Sequence, residues 1–276
     1  MQGASPMASE DILIPQLGNI ASIDLSGVSW ILVIEKEVRS GIVRRNFVAK
    51  IMTQELRQAV FRRLVHSQYH FRSAAGEGVL ITGKGYPDLL TREFVHLLSD
   101  IAATGRSNAL PDLEVMAPAT FPPLCVLVDA DPDGIAIMST YKYGSIAHSH
   151  ENSRLDAPQL EWIGTRISDS FGGIETGSLI PLRPRDVKKA RDMLTRNPVL
   201  ADGGPEPEWR AQLQTMLMLN MKAETEILYD WEGGLEQWID QKLLTMLNTR
   251  AAGQCSEQPR GIQARSASVA SSDFED

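Results

Sequence analysis

Cysteine is scarce. Cys125 sits in an apolar run and Cys255 in a polar stretch near the C-terminal end, and the 276 residues contain no third. Two thiols so placed give neither a disulfide framework nor a zinc-ligand spacing, which fits a reducing cytosolic or nuclear compartment. Long apolar runs are lacking too. None approaches the roughly 20 residues that a helix needs to cross a bilayer. Met1 to Glu10 also lack the basic-then-apolar order of a signal peptide. The expectation is a soluble intracellular chain with no membrane partner. Aromatics make up only 6%, and positive charge is in deficit, with a net charge of −8. Phosphate contact needs clustered Lys and Arg, so this balance weighs against a nucleic-acid binder. It is an average, however, and an acidic metal site or an acidic tail would pull it down.

What is present suits a globular α/β domain. Hydrophobic residues make up 43% and charged residues 22%, enough for one large domain or two small ones with a sizeable core. Trp30–Ile34, Gly78–Thr82 and Leu124–Val128 are short, continuous apolar runs, as expected of strands covered on both faces. Leu160–Ile163 is a weaker fourth. Helical spacing separates them at Glu55–His70, Asp88–Thr104 and Gly134–Lys142, which predicts a parallel sheet with right-handed crossovers. Later segments read as helices packed on that sheet: Arg185–Asn197 after Pro184, a long helix over Pro207–Tyr229, and another over Gly234–Leu247. Residues 1–11 and the Ser-, Gln- and Ala-rich stretch from Ala251 to Asp276 are expected to be disordered, because they cannot bury enough surface to offset ordering entropy.

Acidic residues stand at the ends of two strands. Trp30–Ile34 runs straight into Glu35, and Leu124–Val128 runs into Asp129, with Asp131 two residues on. Side chains two apart in an extended segment point the same way. Functional groups of open α/β sheets gather beyond the carboxyl ends of the strands. Three carboxylates converging there would repel one another unless a cation intervened. A hard divalent ion such as Mg2+, sharing its shell with waters and a phosphate, is the natural occupant. The same stretch, Asp131-Pro132-Asp133-Gly134, is also good turn-and-cap chemistry, and spacing alone does not choose between the two readings.

Other polar segments are less specific. Thr82-Gly83-Lys84-Gly85-Tyr86-Pro87-Asp88 opens a helix after a strand, where two glycines allow close backbone approach and a helix N-terminus favours anions. Lys84 is placed to reach a phosphate there, and Arg92 follows one helical turn beyond Asp88. The nucleotide-binding GxxxxGK[ST] spacing is absent, and a plain strand-to-helix turn explains the loop equally well. Tyr141-Lys142-Tyr143-Gly144-Ser145 either offers aromatic and basic groups to a nucleic acid or ends a helix with a core tyrosine and a glycine cap. His148 and His150 read as loop residues.

Taken together, these segments resemble the Toprim domain of the topoisomerase VI A subunit, along with its eukaryotic relatives, the transesterases that make meiotic DNA double-strand breaks. The resemblance is carried by Ile31 to Glu37, Ala59 to Leu64, ITGKGYPDLLTR from Ile81 to Arg92, LVDADPDG from Leu127 to Gly134, and Tyr141 to Ser145. It extends from about Ile12 to Leu247. It implies a Rossmann-like Toprim sheet flanked by helices, with a helical C-terminal extension. It implies Glu35, Asp129 and Asp131 as the metal-binding catalytic acids, Mg2+ as cofactor, and DNA contacts from Lys84, Arg92 and Lys142. It further implies a homodimer working on DNA in the nucleus, partnered by a B-type topoisomerase VI-like subunit. Cleavage would come from a tyrosine oxygen that becomes linked to the DNA phosphate.

The chain departs from that family in three ways. The family carries its nucleophilic tyrosine in a winged-helix domain before the Toprim half, and this chain begins just before Ile12-Leu13-Ile14-Pro15, which resembles the connecting linker. Tyr69, Tyr86, Tyr141, Tyr143 and Tyr229 all fall in segments that match Toprim or its extension. The chain alone is therefore expected not to cleave DNA. A non-catalytic DNA-binding or dimerisation module that kept the Toprim surface is the competing reading. Residues 38–58 form an atypical insert beside the acidic site, expected to be a retained intron or, if part of the mature protein, a basic loop or extended helix. Asp133 adds a fourth carboxylate, expected to cap the following helix.

Overall fold

The computed structural model describes residues 14, 16–35, 59–83, 87–108, 110–144, 155–171 and 179–256. The expectations for residues 1–11 and 38–58, for Lys84, Tyr86, His148 and His150, and for the tail beyond 256 lie outside the described residues. In chain order the elements are strands β1 (Ser22–Asp24) and β2 (Trp30–Ile34), helices α1 (Ala59–His66) and α2 (Tyr69–Arg72), strand β3 (Gly78–Ile81), helix α3 (Leu89–Thr104), strands β4 (Glu114–Met116) and β5 (Leu124–Leu127), and helix α4 (Pro132–Tyr143). Then come strands β6 (Leu160–Trp162) and β7 (Ile180–Pro181), helices α5 (Pro184–Arg196) and α6 (Pro207–Leu219), strand β8 (Met221–Lys222) and helix α7 (Gly234–Ser256).

The central sheet has the order β3-β2-β5-β6, and every pairing is parallel. The predicted strands are the ones that build it. The continuous apolar character of β2 and β5 follows from burial on both faces, whereas the edge strands β3 and β6 are less completely covered. Successive side chains of β2 point to opposite sides. Ile31 and Val33 enter one core with Val95 and Leu98 of α3, Ile135 and Met138 of α4, Ala190 of α5 and Leu213 of α6. Trp30, Leu32 and Ile34 enter the other with Leu64 of α1, Tyr69 of α2 and Trp238 and Leu243 of α7. The Trp30 indole also donates to Gly76 O at 2.8 Å, pinning the loop that leads into β3.

The C-terminal third corrects the sequence reading. The helix expected over Pro207–Tyr229 ends at Leu219, because Asn220 adopts a left-handed conformation (φ 53°) and caps it. The chain then forms β8, which pairs antiparallel with β7, and a 3-10 turn at Thr225–Tyr229. The last helix runs on to Ser256, six residues into the stretch expected to be disordered. The two-stranded β1–β4 pair lacks the apolar runs that mark the central strands, and no sequence signal pointed to it.

Helix α7 is fastened to α2 by one carboxylate. Asp240 Oδ1 accepts from Tyr69 Oη and from Ser73 Oγ, both at 2.6 Å. Burial, reinforced by this carboxylate, pushes the Tyr69 phenol well above its ordinary value near 10. A group whose folded pKa is raised contributes stability below its unfolded pKa and loses it as pH rises. Stability is therefore expected to fall as pH climbs above 10, and Tyr69→Phe should flatten that decline. Denaturant unfolding followed at pH 8, 10 and 11 measures it. Equal slopes for both proteins would contradict the assignment.

Candidate metal centre

The carboxyl ends of β2 and β5 lie side by side. Ile34 pairs with Leu127, and Glu35 N donates to Leu127 O at 3.0 Å, so both strands deliver their acidic residues to one edge of the sheet. Glu35, Asp129 and Asp131 are all buried, at 1%, 6% and 4% exposure. A carboxylate removed from water must be paired or hydrogen-bonded, and each of these is. Glu35 Oε1 accepts from Gly83 N at 2.6 Å and from Tyr141 Oη at 2.7 Å. A Cβ at Gly83 would press on that same oxygen, so a larger residue there would displace the Glu35 carboxylate. Asp129 Oδ1 accepts from both the backbone and the hydroxyl of Thr225, at 2.8 and 2.7 Å.

Asp131 serves two ends. It is the N-cap of α4, with Oδ1 accepting from Gly134 N at 2.8 Å and Pro132 at the first helical position. Its Oδ2 lies 3.6 Å from the ammonium of Lys222, which has 0% exposure. Cap chemistry and charge chemistry, which the spacing left open, thus coexist in one side chain. A Cβ at Gly134 would overlap Asp129 O, so the tight turn from strand to helix needs glycine there.

The segment Lys222–Thr225 lines this site, and nothing in the sequence reading placed it there. An isolated antiparallel bridge brings it in: Ala130 N donates to Ala223 O at 2.9 Å and Ala223 N to Ala130 O at 3.1 Å. The available signal was Asn220, a residue that tolerates left-handed backbone and so ends a helix. Asp186, also unforeseen, lies 3.3 Å from Lys222 Nζ through its Oδ2.

Other residues singled out in the sequence sit elsewhere. Arg92 is 7% exposed in the first turn of α3, and its positive charge acts on Tyr141 rather than facing outward. Lys142 is ion-paired with Glu206 at 2.6 Å and lies 5.5 Å from the Trp209 ring centroid, so its charge is engaged inside the fold. Asp133 pairs with Lys189 and joins α4 to α5. Gly144 caps α4 (φ 82°), as one of the two readings had it. Tyr141 is a core residue with 0% exposure, and burial together with the Glu35 charge pushes its phenol well above the ordinary range.

Among the described residues no group of three or more His, Cys, Asp or Glu side chains is arranged to hold a metal ion, Glu35, Asp129 and Asp131 included. Mg2+ does not require such a cage. It is commonly held by one or two carboxylates, with waters and substrate phosphate completing its shell. The donor set here is all carboxylate oxygen, and a buried ammonium already rests against Asp131. On that chemistry the residues fit a hard divalent cation.

Comparison with known proteins bears on most of the chain. A family model for the Toprim domain shared by Spo11 and the A subunit of topoisomerase 6 matches residues 51–104 and 113–243. The match includes Asp129 and Asp131 but not Glu35, whose place beside them rests on the pairing of β2 with β5. The chain is 30% identical over 218 residues to the meiotic recombination protein SPO11-1 of Arabidopsis thaliana, covering 79% of this chain and 47% of that protein. It is 37% identical over 187 residues to meiotic recombination protein SPO11 of Homo sapiens, covering 67% and 41% respectively. For SPO11-2 of Arabidopsis thaliana the identity is 35% over 173 residues, covering 63% and 38%. The chain thus spans less than half the length of these curated relatives.

Thr225 holds Asp129 through two donors, and Thr225→Val removes the hydroxyl while keeping shape and backbone. Loss of a hydrogen bond to a buried carboxylate is expected to cost about 1–3 kcal/mol. Urea unfolding measures this, and a change within experimental scatter would contradict the role given to the hydroxyl.

Proposed function

Since this chain belongs to the Toprim family of Spo11 and the topoisomerase 6 A subunit, we propose that it is the metal-binding Toprim portion of a DNA transesterase that makes double-strand breaks in meiotic recombination. The observation that carries this reading is the pair Asp129 and Asp131 at the end of β5, buried beside Glu35 at the end of β2. Glu35, Asp129 and Asp131 would hold Mg2+. The bound ion would supply positive charge to the scissile phosphate and help fix its position. The chain's own residues do the rest. Gly83 N and Tyr141 Oη orient Glu35, Thr225 orients Asp129, and the α4 N-terminus orients Asp131. Lys84, which follows Gly83 in the sequence, is the DNA contact retained in this reading. The burial of Arg92 and the ion pair of Lys142 favour positioning roles for those two.

Cleavage in this scheme needs a tyrosine whose oxygen attacks phosphorus while the sugar oxygen departs with a proton, conserving the number of phosphate ester bonds. The described tyrosines are poorly placed for that role. Tyr69 donates to Asp240, Tyr141 to Glu35 and Tyr143 to Glu206, and all three phenols are pushed above their ordinary value. Tyr229 packs under the Arg63 guanidinium at 4.5 Å. The family resemblance assigns the nucleophile to a winged-helix domain, which agrees with the poor placement of these tyrosines. Two copies acting on opposite DNA strands in the nucleus, with a B-type subunit, complete the scheme.

These same anchored tyrosines favour one alternative, a non-catalytic module that binds DNA or dimerises through the retained Toprim surface. Divalent-metal binding separates the two. The chain is expected to bind Mn2+, used as a probe for Mg2+, and Asp129→Asn should weaken that binding by about 10–100-fold. Calorimetric titration measures it. Full-strength binding by Asp129→Asn would overturn the site, and DNA binding without metal binding would favour the alternative. With Mg2+ and supercoiled DNA the chain alone should form no covalent adduct. An adduct abolished by changing one of its tyrosines would overturn the assignment of the nucleophile.

A further inference from the structure

Lys222 is a charge with nowhere to hydrate. It has 0% exposure in β8, and its ammonium lies between two fixed carboxylates, 3.6 Å from Asp131 Oδ2 and 3.3 Å from Asp186 Oδ2. Neither contact has hydrogen-bond geometry. Among the described residues the Lys222 ammonium has no hydrogen-bond partner, which is unusual for so deeply buried a charge.

The two acids are held by other groups. Asp131 Oδ1 takes the Gly134 N–H of α4. Asp186, only 2% exposed, takes the Arg183 N–H at 3.0 Å at the start of α5, and Arg185 Nε lies 3.6 Å from its other oxygen. The acids are pinned to two helix starts, and the cation between them is held by charge alone. A lysine ammonium is a compact point charge on a flexible stem, free of the fixed fork that would lock an arginine to one partner.

We propose that Lys222 is a resident counter-cation of the metal centre: it neutralises Asp131 before a divalent ion arrives, competes with that ion, and passes to Asp186 when the ion binds. The inference rests on the metal reading above and adds to it a determinant of affinity. Its physics is like-charge repulsion in a site shielded from water, where an ammonium beside Asp131 opposes an incoming dication. Asp186 supplies the second position that lets the ammonium yield. A purely structural Lys222 makes the opposite prediction, because loss of a residue that only positions Asp131 would weaken metal binding.

The test is Mn2+ binding to the full chain, read as free Mn2+ by electron paramagnetic resonance. Lys222→Met should bind Mn2+ at least about tenfold more tightly than wild type. Asp186→Asn keeps the acceptor for Arg183 N but leaves the ammonium only Asp131. It should bind about tenfold more weakly, and its effect should shrink clearly in the Lys222→Met background. Unchanged or weaker binding by a folded Lys222→Met overturns the proposal. If Lys222→Met does not fold, Asp186→Asn decides, and unchanged affinity there overturns it. No Mn2+ binding by wild type defeats the metal reading itself, a different failure from binding that is indifferent to Lys222.

Discussion

The site depends on the short antiparallel bridge between Ala130 and Ala223. Two hydrogen bonds join the loop after β5 to a segment far later in the chain. That contact sets Thr225 against Asp129 and Lys222 against Asp131. Without it, Asp129 would be a buried carboxylate lacking both Thr225 donors, and Asp131 would keep the Gly134 N–H but lose its neighbouring cation. The bridge also sets how far the C-terminal third can stray from the sheet, since β8 pairs with β7 on its other side. The helical extension is thus part of the acidic site and not an appendage to it.

The rest of the fold supports that contact from behind. Strands β2 and β5 are buried on both faces, so the middle of the sheet is a rigid floor whose carboxyl edge is fixed in position. Helix α4 begins directly at Asp131, which ties the edge to the helix layer through one cap. Helix α5 is tied in by Lys189 to Asp133 and by Lys222 to Asp186. Charge is balanced locally at Asp131, Asp133 and Asp186, which face Lys222, Lys189 and the dipole of α4, while Glu35 and Asp129 are held by neutral donors. Such a centre can hold its shape without a metal and still present carboxylate oxygens to one.

Much of this was legible in the sequence, for a physical reason. Strands covered on both faces must be continuously apolar, so β2, β3 and β5 announced themselves, and an acid directly after such a run must stand at the sheet edge. The turn glycine Gly134 and the helix end at Gly144 were readable because they satisfy steric demands local to a few residues. What escaped was non-local. Lys222 and Thr225 lie in a Met- and Leu-rich stretch whose composition suits a helix, and only the left-handed Asn220 breaks it. Asp186 resembled an ordinary first-turn acid of a helix, and nothing nearby in sequence marked its partner. Lys142 and Arg92 looked like surface cations, but pairing with Glu206 in one case and burial near Tyr141 in the other depend on contacts that composition does not encode.

Whether the carboxyl edge of β2 and β5 is a divalent-metal centre is tested most directly by anomalous diffraction from crystals of this chain grown or soaked with Mn2+. A single strong peak in contact with the Asp129 and Asp131 carboxylates, on the side where Glu35 lies, is the predicted result. A peak bound elsewhere, with these three carboxylates still turned onto Thr225, Lys222 and Gly83 and no ion between them, would contradict it.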